Sequence, residues 1–144
     1  MSQNDKNERI WKINGLELEL DLEDADVFEK TMKAFEQMDE DWKNIDKVGS
    51  MPDYIRQYCG AYYKMYDSVF GEGTGEKIFN GKNNARICDE VWDDFLEWMQ
   101  AAVKKANAKR TQLSNKYMPN REQNREKNRK KRKKNFNTYN GKKR

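Results

Sequence analysis

The residue types in this chain that could most readily do chemistry form a glycine-rich stretch, FGEGTGEKIFNGKNN, at residues 70–84. Glycines beside lysine and threonine can cradle a phosphate, because backbone N–H groups and the lysine then meet the anion. The spacing argues against that chemistry: Gly75 is followed by Glu76, and Lys77 is followed by neither serine nor threonine. The preceding segment also has a helical pattern, whereas nucleotide-binding loops follow a strand. We therefore expect no nucleotide here and interpret the stretch as a structured connection between helices.

Catalytic and metal-binding residue types are scarce. Histidine is absent, which removes the commonest general base and the commonest metal ligand. The only cysteines, Cys59 and Cys88, cannot form a zinc site by themselves and would have no histidine base as nucleophiles. We predict that they are reduced, buried thiols, with a disulfide between helices as the alternative. Five acids between residues 89 and 97 are typical of a solvated helix face. The sequence thus predicts a protein that is not an enzyme, with no catalytic residue, cofactor or metal.

Charge divides the chain into an acidic part and a basic part. Residues 109–144 contain 15 Lys and Arg and two acids, a net charge of +13. Because the whole chain carries +4, residues 1–108 carry −9. The basic part includes NRKKRKKN at residues 128–135, and runs of this kind bind polyanions by counterion release. The predicted polyanion-binding residues are Arg129, Lys130, Lys131, Arg132, Lys133 and Lys134. A solubilising tail, or a tail that folds back on the acidic part, is the alternative.

A β-hairpin is the clearest local prediction, at residues 10–22, IWKINGLELELDL. Asn14-Gly15 is a favoured pair for a type I′ turn, because both central positions need positive φ. After the turn, leucine alternates with Glu or Asp, which predicts a strand with one apolar and one charged face. A single hairpin is marginally stable in water, so its leucine face must pack on another element.

Three long amphipathic helices and one short helix are predicted to follow. Apolar residues recur at threes and fours through each long segment. Capping and stop residues place the long helices from the Asp24 cap to about Val48, from the Ser50 cap to Gly71, and from Ala85 to about Lys109. The short helix is predicted from Thr74 to Phe79, with Thr74 as its cap.

The predicted fold is mainly α, in the α+β class: an N-terminal β-hairpin packed on a three-helix bundle, with a short extra helix in the glycine-rich loop. Residues 1–9 are predicted to be flexible, residues 10–108 to fold, and residues 109–144 to form a basic, largely disordered tail. No apolar run is long enough to span a membrane, and the N-terminus lacks the apolar run of a secretory signal. The predicted core consists of Leu16, Leu18, Leu20, Phe28, Phe35, Trp42, Ile55, Tyr62, Phe70, Ile78, Phe79, Val91, Phe95 and Trp98.

The hairpin, the first helix and the glycine-rich loop together resemble a known group of proteins. WKINGLELELDLEDADVFEK and RQYCGAYYKMYDSVFGEGTGEKIFNGKNNARICDEVWDDFL are similar to small proteins encoded in tail-gene clusters of phages and prophages of Gram-positive bacteria. The shared pattern is an ING hairpin, a DADV helix start and an FGEGT-x-EKIF-x-GKNN loop between helices. It covers roughly residues 11–98 here, and the loop motif is its most specific part.

The resemblance implies a tail assembly chaperone of long-tailed phages, a protein that keeps the tape measure protein soluble and helps to recruit tail tube subunits in the host cytoplasm. The strongly basic end is a departure from that pattern. The glycine-rich loop is the predicted partner-binding region, through Phe70, Gly71, Gly73, Thr74, Gly75, Lys77, Ile78, Phe79 and Asn83. Two alternatives remain: a nucleic-acid-binding accessory protein acting through its basic tail, and a structural head–tail component of the virion. The sequence leaves homo-oligomer formation open.

Overall fold

The computed structural model describes residues 8–45 and 49–117. Its elements are β1 (Ile10–Ile13), β2 (Leu16–Glu19), α1 (Ala25–Lys43), α2 (Met51–Phe70), α3 (Thr74–Phe79) and α4 (Ala85–Tyr117). A mostly helical chain that begins with an antiparallel hairpin confirms the predicted fold class. The first seven residues of the predicted flexible N-terminus, and residues 118–144 of the predicted basic tail, lie outside the described residues.

The starts of α1 and α2 follow from their capping residues, as predicted, whereas α1 ends at Lys43, before the predicted end near Val48, because Asn44 takes the C-cap position. The Asp24 side chain accepts hydrogen bonds from the backbone N–H groups of Asp26 and Val27 at the start of α1. Ser50 caps α2 in the same way, and α2 ends at Gly71, whose φ of 119° is accessible to glycine. These local bonds satisfy N–H groups that have no partner inside the helix.

The hairpin has the predicted turn and the predicted two faces. Asn14 and Gly15 both have positive φ, 49° and 80°, as a type I′ turn requires. Trp11 pairs with Leu18 across the strands, so both point to the same face of the hairpin. Trp11 is buried, whereas the neighbouring Glu17 is exposed. The hairpin therefore has one face in the core and the other in solvent.

Helices α2 and α4 run side by side in the same direction. The Tyr62 hydroxyl in α2 donates to Asp89 Oδ1 in α4 at 2.9 Å. Further along both helices, the rings of Phe70 and Phe95 lie 5.6 Å apart. Because later residues of α2 meet later residues of α4, the connection at residues 71–84 must return along α2 before α4 begins. The glycine-rich loop is that return.

Trp11 lies at the centre of the core, with 1% of its surface exposed. Its ring stacks on Tyr66 and Phe70 at centroid distances of 5.8 Å and 5.9 Å and lies 4.7 Å from the ring of Phe95. Its indole N–H donates to Asp94 Oδ2 at 2.8 Å. The hairpin is thus attached to α2 and α4 by aromatic packing and by one hydrogen bond.

The predicted core residues fall into two groups according to their burial. Six are buried: Leu20, Tyr62, Ile78, Phe79, Val91 and Phe95. Eight are half-buried: Leu16, Leu18, Phe28, Phe35, Trp42, Ile55, Phe70 and Trp98. Hydrophobic periodicity identifies the inward stripe of a helix, but the edges of that stripe stay near the surface because the bundle has few layers.

Helix α4 continues to Tyr117, past Lys109, where the sequence predicts its end. The chain divides into two compact units, Met1–Lys104 and Lys105–Arg144. The first unit contains the hairpin, α1, α2, α3 and the start of α4. In the second unit the described residues are the end of α4, which is largely exposed and includes Leu113 at 52% exposure.

Candidate functional site

The glycine-rich loop is fixed against α2 by polar contacts. Asp67 Oδ1 accepts the backbone N–H of Gly75 at 2.8 Å. Thr74 is not the cap of α3, contrary to the prediction: Gly73 takes that position with a φ of 89°, and the Thr74 hydroxyl donates to the Gly71 carbonyl at 2.6 Å. A left-handed residue at the cap favours glycine, which explains why threonine is displaced by one position.

Gly75 allows the closest approach between α3 and α2. A Cβ placed on Gly75 would lie 2.8 Å from the Cα of Tyr63 and 3.0 Å from its carbonyl oxygen. The Tyr63 hydroxyl also donates to the Lys82 carbonyl at 2.6 Å, further along the loop. The Asn84 side chain then accepts the Ile87 N–H and begins α4. The path of the backbone therefore explains the glycine and asparagine residues at these positions of the glycine-rich loop.

The ING hairpin and the glycine-rich loop are in direct contact. Asn14 Nδ2 in the turn donates to the carbonyl of Ile78 in α3 at 3.0 Å. Asn14 therefore has two roles, because its positive φ forms the turn and its side chain holds α3. This contact, 64 residues apart in sequence, connects the two most distinctive motifs of the chain.

The predicted partner-binding residues of the loop differ in their access to solvent. Buried positions are Thr74, Gly75, Ile78 and Phe79, half-buried positions are Phe70 and Gly73, and exposed positions are Gly71, Lys77 and Asn83. Of these, only the exposed and half-buried groups can touch a partner without a change in the fold. The buried groups determine the position of the loop and of the two helices that it joins. Direct partner contact by the loop stays a prediction.

Two tyrosines of α2 converge on one carboxylate of α4. The hydroxyls of Tyr58 and Tyr62 both donate to Asp89 Oδ1. Burial, together with these hydrogen bonds, raises the pKa of both phenols above the ordinary value. The side chain of Trp42, from α1, stacks on Tyr58 at 5.3 Å and donates its indole N–H to the Tyr58 carbonyl. Neutral tyrosines here connect α1, α2 and α4, which favours a structural role for the cluster.

The two cysteines are free thiols, as predicted, and are fully buried. Cys59 lies in α2 and Cys88 in α4. Burial raises the pKa of both thiols, so at neutral pH neither is a thiolate nucleophile.

An apolar strip is formed by half-buried side chains of α1 and α4, which meet at the contact between Phe35 and Trp92. We call it the α1–α4 seam, and it consists of Phe28, Met32, Phe35, Trp92 and Leu96, all half-buried. The members on each helix are three or four positions apart, so they share one side of that helix. The rings of Phe35 and Trp92 meet edge to face at 5.0 Å, which joins the two sides of the seam. Each helix thus carries a row of half-buried apolar groups, which differs from the scattered apolar residues of an ordinary surface.

Acidic side chains border the seam on both helices. Glu36, four positions after Met32 in α1, and Asp93, three positions before Leu96 in α4, are exposed and neighbour the seam residues of their helices. Among the ion pairs between described residues, neither of these two carboxylates takes part. Asp39, which follows Phe35 by four positions and so continues the row of seam residues on α1, is paired with Lys43 at 2.9 Å. The seam is thus an apolar strip between rims that carry negative charge.

Other kinds of site are not found within the described parts of the chain. Residues 8–45 and 49–117 hold no group of three or more side chains that could ligate a metal ion. No helix in those ranges combines the length and the apolar character needed to cross a membrane. The predicted polyanion-binding residues 129–134 lie outside the described residues.

Comparison with known proteins gives a family. A family model matches residues 14–136, most of the chain, and its description is a family of unknown function, DUF6673. The chain belongs to this family. The matched range takes in the hairpin turn, the glycine-rich loop and all four helices, so these features are part of what the family model describes. Neither the curated proteins nor the solved structures contain a match to the chain.

Proposed function

We propose that this chain is a non-enzymatic phage tail assembly chaperone that acts in the host cytoplasm on the tape measure protein, the tail tube subunits or both. The observation that supports the proposal is the α1–α4 seam, because an apolar strip between two helices is a form of surface that accepts a third helix. The resemblance of the hairpin and loop motifs to phage tail-cluster proteins is the ground on which we propose this client.

In the proposed mechanism, the seam binds the apolar stripe of a client helix reversibly and so keeps it from contact with other client molecules. A client helix that exposes an apolar stripe aggregates through that stripe, and a helix lying in the seam has the stripe removed from water. Phe35 and Trp92 are already held by their contact with each other and with the core, so little side-chain freedom is lost when the client binds. Half-buried groups contribute modest apolar area, which suits a client that must later be released to the growing tail.

The glycine-rich loop supports the seam indirectly. By returning along α2, the loop lets α4 run in the same direction as α2 and so places Trp92 beside α1. Of the predicted partner-binding residues, Lys77 and Asn83 are exposed. A direct contact between these two residues and the client stays a prediction. The buried residues of the loop act on client binding only through the position of α4.

Co-expression with the client tests the proposal. The full chain, tagged, is produced together with the tape measure protein from the same phage or prophage genome, and the soluble tape measure protein is measured with and without the chain. Pull-down in the presence of nuclease and high salt identifies what stays bound. We expect the chain to raise the soluble fraction and to retain the client. Retention of nucleic acid alone would instead favour the accessory protein of the basic tail.

Two substitutions on α4 separate the seam from the rest of the helix. Leu96→Asp places a charge in the seam, whereas Leu113→Asp makes the same change at a leucine that is 52% exposed in the second unit. Loss of an interface residue worth more than 1 kcal/mol should lower client retention by roughly fivefold or more for Leu96→Asp. Leu113→Asp should retain the client as the unmodified chain does. Equal retention by both variants, with matching thermal unfolding, would refute the seam as the client site.

A further inference from the structure

The charged side chains on the two rims of the seam bear on which helices can bind to the apolar strip. Glu36 lies on the outer side of α1, and Asp93 lies on the outer side of α4, one residue after Trp92. Both are exposed and take part in no ion pair between described residues. On the α1 side Glu29 is also present, but its charge is balanced by Lys33 at 3.2 Å. Unbalanced negative charge is therefore present on both sides of the strip.

A helix lying in the seam would bring its own flanking residues against these rims. Residues next to the apolar stripe of a docked helix lie at the edge of the interface, where like charges repel and opposite charges attract. Acidic flanks would place carboxylates beside Glu36 and Asp93. Lysine or arginine flanks would be attracted by them. At longer range the net charge of −9 on residues 1–108 acts in the same sense and the +13 of residues 109–144 in the opposite sense, so the selectivity must come from the rim charges themselves.

We propose that the α1–α4 seam selects amphipathic helices whose apolar stripe is flanked by Lys and Arg on both sides. This inference rests on the proposed function, since it names the chemical class of client that the same surface prefers. The apolar strip supplies most of the affinity, and the rims supply the selectivity, because rim charges act mainly on partner choice and on association rate. The preference weakens as salt increases, because the rim charges are exposed.

Two synthetic helices test the inference. Each has about 20 residues and the same leucine stripe, at a spacing that forms one helical face, with lysine on both flanks in one peptide and glutamate in the other. Binding to the full chain is measured by fluorescence anisotropy at low and at high salt. We expect the lysine-flanked peptide to bind about tenfold more tightly at low salt, from two rim contacts of about 0.7 kcal/mol each, and the difference to shrink in high salt.

Charge reversal at the rims is the decisive variant. Glu36→Lys with Asp93→Lys should reverse the preference, so that the glutamate-flanked peptide becomes the tighter ligand. The matched control is Glu17→Lys with Glu72→Lys, which changes net charge equally at exposed positions on the hairpin and the loop. This control should keep the preference for lysine flanks. If the control variant reverses the preference as well, overall charge decides, and the inference of rim selectivity is wrong.

The remaining outcomes separate this inference from the proposed function. If both peptides bind equally and Leu96→Asp abolishes both, the seam binds helices without regard to charge, so the inference fails while the function stands. If neither peptide binds, the inference fails, and the co-expression experiment judges the function independently. If the chain self-associates in sedimentation and Leu96→Asp makes it monomeric, a second copy occupies the seam, and the inference fails for that reason.

Discussion

At the scale of single residues, two tyrosines one turn apart on α2 have opposite hydrogen-bonding environments. The Tyr62 hydroxyl donates to Asp89 at 2.9 Å and lies 3.5 Å from the Tyr58 hydroxyl. The Tyr66 side chain is completely buried, and its hydroxyl has no partner among the described residues. A buried hydroxyl without a partner lowers stability, whereas a hydrogen bond to a carboxylate raises it.

Removal of the Tyr62 hydroxyl should therefore lower stability, whereas removal of the Tyr66 hydroxyl should not. Tyr62→Phe should lower the free energy of unfolding by about 1 kcal/mol, because the bond to Asp89 is lost. Tyr66→Phe should leave it unchanged or raise it by up to about 1 kcal/mol, because an unpaired polar atom is removed without loss of ring packing. Urea denaturation of both variants beside the unmodified chain measures the two values. A destabilisation of equal size in both would show that the Tyr66 hydroxyl has a partner.

Helical spacing in the sequence places these tyrosines on one face of α2 but does not predict this difference. Spacing at threes and fours places Tyr58, Tyr62 and Tyr66 on one face of α2, and the sequence alone favours polar tips at the edge of the core. The structure confirms the face, but Tyr66 lies deeper, against Trp11. The burial of Tyr66 depends on its contact with Trp11, which belongs to the hairpin and is distant in sequence. For the same reason the predicted core omits Trp11, although it is among the most buried side chains.

At the scale of elements, the loop at residues 71–84 is defined by contacts between residues distant in sequence. The sequence correctly predicts the extent of α3, which the structure follows with a turn at Asn80-Gly81, where both residues have positive φ. It does not predict that the loop returns along α2. That path depends on the bond from Gly75 to Asp67 and on the bond from Asn14 to Ile78. Neither partner is recognisable from local sequence, since Asp67 and Asn14 have ordinary helix and turn patterns around them.

Two glycines of the loop should differ in their response to alanine, for different physical reasons. Gly75→Ala would place a Cβ 2.8 Å from the Tyr63 backbone, so α3 must move away from α2, and we expect a loss of about 2–3 kcal/mol of stability. Gly73→Ala meets no atom within 4 Å and has only the strain of a φ of 89°, about 1–2 kcal/mol. Thermal and urea unfolding measure both. An equal loss of stability in the two variants would mean that α3 can move away from α2 at Gly75 at little cost.

At the scale of the whole molecule, the sequence predicts the fold class and the charge asymmetry more successfully than the site. Caps at Asp24 and Ser50 and the turn at Asn14-Gly15 specify the elements locally, and the structure confirms them. The α1–α4 seam could be anticipated only in part. Periodicity marks Phe28 and Phe35 as inward residues, but both are half-buried, and the contact of Phe35 with Trp92 of α4 follows only from the packing of the two helices.

Buried phenols and thiols make the folded chain sensitive to alkaline pH. Burial raises the pKa of Tyr62, Tyr63 and Tyr66 above the ordinary 10.0, that of Tyr63 to about 12, and raises the pKa of Cys59 and Cys88 above 9.0. A group whose pKa is higher in the folded state holds its proton more tightly there. Its contribution to stability is complete below the unfolded pKa and is lost as pH rises through the folded one.

The free energy of unfolding should thus be nearly constant from pH 7 to about 8.5 and fall above pH 9, first through the thiols and then, above pH 10, through the phenols. Each group that ionises only on unfolding adds a slope of about 1.4 kcal/mol per pH unit. Tyr66→Phe should reduce the slope above pH 10 by that amount, even though it leaves stability at pH 7 unchanged or higher. Urea unfolding with a reductant at several pH values between 7 and 11.5 measures the slope, and refolding at pH 8 checks reversibility. An unchanged slope in Tyr66→Phe would show that this phenol ionises in the folded chain, so that its burial is incomplete in solution.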